Sequence, residues 1–249
     1  MKYSLDITKI LKSASNTLKS NWKTLIPIVF FAWLFSMVAS FGVDNAGPLG
    51  MQLGPDFLYP LYFVFGVLAY VFLTLLVSIG LMHVFIRTVD EKEIARGDML
   101  EGFTFKKMFS FIGAYILYTL LVLVGLLLLV VPGVYIAVAL IPLFYVIIDR
   151  DLGPITAIKE TYEITKGNWW LIAGITILVG LISLIAFAVF FVLFGLLAWA
   201  ASVAGPVGIA LFAVIAVPAF ILFVLFIQSY VGLTHAYVYK ELRDHMDRQ

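Results

Sequence analysis

The chain has 249 residues, of which 63% are hydrophobic and only 12% charged, with a net charge of +1 and no cysteine. Soluble domains run about 45–50% apolar and about 25% charged. Together with a mean hydropathy of +1.08, the composition excludes an ordinary soluble globular domain. The small net charge excludes a strongly basic nucleic-acid binder. Without cysteine there is no disulfide framework, thiolate nucleophile or cysteine-ligated zinc site.

The first 23 residues carry Lys2, Lys9, Lys12, Lys19 and Lys23. Asp6 is placed to cap a helix on which Ile7, Ile10, Leu11, Ala14 and Leu18 form one apolar stripe. Residues 24–43 then contain no charge. A bilayer core about 30 Å thick takes roughly 20 helical residues, so this stretch spans once, and an outer loop is expected after it over 44–56. Residues 57–86 form a second charge-free stretch and a second span. An amphipathic segment follows, with Asp98 and Glu101 spaced as a capping box.

The third charge-free stretch, 108–148, is interrupted by Pro132-Gly133, where a tight outer turn is expected. The return segment 134–148 is short, about 22 Å as a helix. It is a full fourth span of six, a re-entrant segment sheltered by protein, or part of one longer crossing that would leave five. Asp149 and Asp151 flank Arg150 as a solvated charged turn or a weak hint of a divalent cation. Pro154 suits the first position of the next amphipathic helix and Gly167 the position past its end, with Ile155, Ile158, Tyr162 and Thr165 as its inner face. The last charge-free stretch, 167–239, would reach about 110 Å as one helix. It must fold back, most simply at 201–206, where Ser, Gly and Pro gather.

The four cationic segments hold five, five, three and three basic residues, which accounts for all sixteen. Six crossings put every one of them on the cytoplasmic side together with both termini. No cleavable signal peptide is expected, because the first apolar run is as long as a span and no small-x-small site follows it.

Two parts of the chain are alike. At a shift of 147 residues Lys12, Lys19, Asn21 and Trp22 match Lys159, Lys166, Asn168 and Trp169. At a shift of 152, Gly80-Leu81-x-His83 matches Gly232-Leu233-x-His235. The expected organisation is one membrane domain, 1–249, with repeat A at 6–88, a middle hairpin with its amphipathic elbow at 98–149, and repeat B at 153–240. The repeats would share orientation about an axis along the membrane normal.

Chemistry inside the spans is sparse. His83 and His235 are the ionisable candidates, and if the repeats face each other both imidazoles line one cleft with Tyr70, Thr74 and Gln228 as a ligand path. The plainer reading is a pair of satisfied interfacial histidines. Lys12, Lys19, Trp22, Lys159, Lys166, Trp169 and Trp170 mark the lipid-headgroup level, as binding groups or as simple anchors. Catalytic motifs, metal-ligand sets and cofactor loops are missing, so no enzyme, metal or cofactor is expected.

The runs Val130-Val131-Pro132-Gly133-Val134-Tyr135, Ile148-Asp149-Arg150-Asp151-Leu152-Gly153-Pro154 and Thr165-Lys166-Gly167-Asn168-Trp169-Trp170 carry a resemblance, as does Gly97-Asp98-Met99-Leu100-Glu101-Gly102-Phe103. The chain resembles the membrane domain attached to some glycerophosphoryl diester phosphodiesterases, and the related stand-alone YciC-like six-span proteins. The resemblance implies a six-span helical fold. Only ten residues follow Tyr239, so no phosphodiesterase domain is expected after it, and catalysis is not carried over.

The resulting expectation is an all-α polytopic protein of the cell membrane, built from three hairpins. It would be non-catalytic and bind membrane lipids, a membrane-protein partner or a second copy of itself. The alternative is a carrier or flippase-like path for a lipid or amphiphile.

Overall fold

A computed structural model of the protein describes residues 6–53, 59–94 and 97–248, without the side chains of 38, 39, 41–60 and 62. Most of the described residues are helical, and none of them forms a strand. In chain order they form α1 (Ile7–Leu53), α2 (Tyr59–Val89), α3 (Asp98–Glu101), α4 (Phe105–Leu128), α5 (Val130–Ala139), α6 (Leu143–Arg150), α7 (Pro154–Thr165), α8 (Trp169–Ser202) and α9 (Gly205–Met246). Among the described residues five segments are long and apolar enough to cross a membrane: Phe63–Val89 of α2, α4, the joined α5 and α6, α8 and α9. A chain with this many such helices suits a membrane-embedded protein.

Asp6 caps α1 as its sequence position predicts, its Oδ1 accepting the Lys9 N–H at 3.1 Å. The outer loop expected over 44–56 is, for residues 44–53, still helix, and no break separates the amphipathic start from the apolar stretch. Amphipathic start and apolar continuation are one helix of 47 residues, about 70 Å long. At a shift of 147 residues, where Lys159, Lys166, Asn168 and Trp169 stand, the chain does break. There α7 ends at Thr165, Gly167 takes φ +88°, and Asn168 opens α8. The difference has a local cause. Gly167 enters the left-handed region at no steric cost, whereas the residue 147 positions earlier is Ser20, which continues the helix.

The reversal after α4 also departs from expectation. It falls at Leu129, extended at φ −165° and ψ 147°, rather than at Pro132-Gly133. Pro132 instead occupies the first turn of α5, where a missing N–H costs no helical bond. Gly133 serves close packing: a Cβ on Gly125 would lie 2.8 Å from the Gly133 Cα. Because the return helix starts at Val130, the segment up to Arg150 has 21 residues, about 31 Å with its bend. The bend spans Leu140 to Pro142, where proline interrupts the ladder. The second reversal lies where the sequence places it, at Val203-Ala204, with Gly205 at φ +71°.

Two further expectations are corrected. Gly97, not Asp98, is the N-cap of α3. The Asp98 carboxylate is 2% exposed and pairs with Arg87 at 3.2 Å. On α7 the buried face is Ala157, Thr161, Ile164 and Thr165, while Ile155 and Tyr162 are exposed. Thr161 and Thr165 donate to the carbonyls of Ala157 and Thr161 at 2.6 and 2.9 Å. With their hydroxyls satisfied locally, these compact side chains let α7 approach α4 and α6 closely.

The core gathers at one end. Ile10, Ala14, Leu25 and Val29 of α1 meet Ile79 and Val84 of α2, Leu143 and Ile147 of α6, Ile172 and Ile175 of α8, and Leu225, Leu233 and Leu242 of α9. The far portions pack in pairs and leave large apolar side chains bare, such as Leu127 at 86% and Val214 at 72% exposed. There α8 and α9 hold together by ring stacking, Phe190 of α8 lying 4.5 Å from Phe223 of α9.

Candidate functional site

Charged side chains at the packed end join all four cationic segments. Lys9 meets Glu241 at 2.8 Å, linking the first segment to the last. Lys106 meets the Asp151 carboxylate at 2.7 Å, linking the second to the third. Arg150 bonds Glu160 within the third segment and Asp247 of the last at 2.7 Å. Arg243 stands at the centre. Its two terminal nitrogens reach Asp90 at 2.7 and 3.3 Å, and one of them reaches Asp149 at 3.0 Å. Arg243 is 16% exposed and Asp90 12%, so the pair is largely withdrawn from solvent.

Aromatic residues brace this centre. Tyr239, one turn before Arg243 on α9, donates its hydroxyl to Asp149 at 2.7 Å and lies beneath the guanidinium. Tyr145 stacks on Tyr239 and donates to the Gly232 carbonyl at 3.1 Å. Lys240 donates to the Val89 carbonyl at 2.7 Å, satisfying the C-terminal end of α2. Burial alone would push the Asp90 carboxyl up, but the Arg243 hydrogen bonds and charge outweigh it and hold it below the usual carboxylate range. A guanidinium held by two carboxylates has no free edge for an incoming anion. Arg243 is therefore a fastener, and Asp149, an exposed residue as its position suggests, is tied to it and to Tyr239 through its carboxylate.

Other cations are free to act. Among the described residues Lys12, Lys19, Lys23, Lys159 and Lys166 are exposed, and their ammonium groups make no hydrogen bond or ion pair. Three of them rim apolar cavities. Lys19 and Trp22 line a cavity of about 450 Å³ with Ser15, Leu18 and Phe226. Lys23 tops one of about 370 Å³ between α1 and α3. Lys159 borders one of about 240 Å³ among α4, α5 and α7, walled by Tyr135 and Tyr162. A fourth cavity, about 300 Å³, is polar and lined by Thr17, Asn21, Thr88, Glu91 and Lys92.

The proposed ligand path is distributed differently. His83 packs against Gly102, whose added Cβ would lie 2.6 Å from the His83 Cβ. Phe85, two residues on, faces Gly232 of α9. Two helical residues turn through about 200°, so His83 looks away from α9. His235 places Nδ1 3.0 Å from the Val231 carbonyl of its own helix. The two imidazoles are not brought together. Tyr70 is half-buried, Gln228 is exposed, and the Thr74 hydroxyl is buried without a hydrogen-bond partner. None of the four cavities described is lined by these five residues.

The tryptophans divide. Trp22 and Trp170 are exposed, whereas Trp169 stacks on Tyr135 at 5.4 Å and donates to its carbonyl at 2.9 Å, pinning the start of α8 to α5. Sequence reasoning missed the fastener, because Asp90 and Arg243 lie 153 positions apart. The Gly-x-x-His likeness pointed near it without naming it. Comparison of the chain with family models, curated proteins and solved structures finds no match.

Proposed function

We propose that the chain is a six-span membrane module, with α1 as the sixth crossing and with three hairpins whose cationic end lies at the cytoplasmic surface of the cell membrane beside both termini. It is non-catalytic, and it binds lipid or a membrane partner. The observation that carries this reading is the set of ion pairs joining all four cationic segments at one end. Opposite it stand helices whose bare leucines and valines suit hydrocarbon. The six-span family resemblance and the parallel repeat belong to the same proposal. They are supported by Pro132-Gly133-x-Tyr135 beside Thr165–Trp170, and by matched glycines, Gly80 against Met99 and Gly232 against Phe85, that both admit a close neighbour.

Purified protein reconstituted in liposomes with a labelled phospholipid tests the function against the carrier reading. Lipid exchange between leaflets at the rate of protein-free liposomes is expected. Exchange that rises with protein content replaces this reading with the carrier.

A further inference from the structure

One face of α1 carries, in descending order, Lys23, Thr24, Pro27, Ile28 and Phe31, and these line the 370 Å³ cavity with Met99 opposite. Positions i, i+1, i+4, i+5 and i+8 share a helix face. Along it the lining passes from an ammonium to a phenyl ring within about 12 Å. The volume lies within the roughly 300–1,000 Å³ of ordinary ligand sites.

The upper rim has unspent polar capacity. Lys23 and the Thr24 hydroxyl make no hydrogen bond or ion pair among the described residues. Pro27 has no N–H to give, so the Lys23 carbonyl lacks its helical donor. Below the rim, Pro27, Ile28, Phe31 and Met99 offer only apolar surface. A cation and a hydroxyl above an apolar trough match a phosphate with an acyl chain beneath it.

We propose that this groove holds one anionic phospholipid, its phosphate on Lys23 and Thr24 and an acyl chain along Pro27, Ile28, Phe31 and Met99. The inference rests on the membrane reading above, which sets the rim at headgroup level. A soluble anion would meet one cation and leave the trough empty. Diffuse attraction to a charged surface would not single out Lys23 from Lys12, which is equally unpaired but lines none of the cavities described.

The test is native mass spectrometry of the full chain in detergent, titrated with dioleoyl phosphatidylglycerol, dioleoyl phosphatidylcholine or glycerol phosphate alone. One phosphatidylglycerol should be retained in preference to phosphatidylcholine, and glycerol phosphate should not displace it. Lys23→Gln should weaken phosphatidylglycerol retention about fivefold and leave phosphatidylcholine unchanged. Phe31→Ala should weaken both, and Lys12→Gln neither, with circular dichroism confirming the fold of each variant. Unchanged retention in Lys23→Gln, an equal loss in Lys12→Gln, or displacement by glycerol phosphate would each overturn the proposal. Carbonate extraction of membranes separates the two levels. A chain that stays in the membrane yet retains no phosphatidylglycerol refutes the groove alone, and a chain that is extracted refutes the membrane reading with it.

Discussion

Arg243 grips Asp90 through both terminal nitrogens, at 2.7 and 3.3 Å, across the ends of α9 and α2. The same guanidinium reaches Asp149 at the end of α6, so one side chain fastens three helix ends. Removing it leaves two poorly hydrated carboxylates facing each other. Arg243→Met should lower unfolding stability in detergent by about 3 kcal/mol. Lys106→Met, which breaks a pair open to solvent, should cost less than about 1 kcal/mol. Equal losses in the two variants would remove the fastener role.

The Asp90 carboxyl titrates below its ordinary value when folded. Its contribution is therefore complete above the unfolded pKa and is lost as pH falls through the lower folded one. Thermal stability should decline on acidification below about pH 4. Asp90→Asn should be less stable at neutral pH and show a flatter decline in acid, measured by melting in buffered detergent. A wild-type profile that is level down to pH 3 would contradict this.

The α4–α5 reversal depends on two glycines. A Cβ on Gly133 would lie 2.7 Å from the Leu126 backbone nitrogen, whereas one on Gly195 meets nothing within 4 Å. Gly133→Ala should cost about 1–3 kcal/mol by overpacking. Gly195→Ala, within α8, should be neutral or stabilise by up to about 1 kcal/mol through helix propensity. Melting temperatures of the two variants check the contrast.

What the sequence made legible was local or compositional. Charge-free runs located the apolar helices, and the remaining signals are local, Asp6 acting through its own carboxylate and Pro154, Gly167 and the 201–206 turn through their own backbone. Pro132-Gly133 misled because proline after a reversal and proline within one look the same without knowing that Leu129 is extended. The α7 face was misassigned because Thr161 counts as polar until its hydroxyl is paired to Ala157. The Arg243 fastener was invisible, since its partners come from segments about 90 and 150 positions away and only packing brings them together. The lysine-rimmed grooves were half legible. Lys19 and Trp22 stood out, but Lys23 needed Met99 of α3 to become a cavity.

The central claim is that every cationic segment faces one aqueous compartment. The chain contains no cysteine, so single cysteines can be placed without background. Lys159→Cys, Asp247→Cys and Val203→Cys, all at exposed positions, should be labelled by a membrane-impermeant maleimide in sealed vesicles of known orientation. The account predicts that Lys159→Cys and Asp247→Cys react from the cytoplasmic face and Val203→Cys from the opposite one. Reaction of Lys159→Cys from the face opposite Asp247→Cys would contradict it.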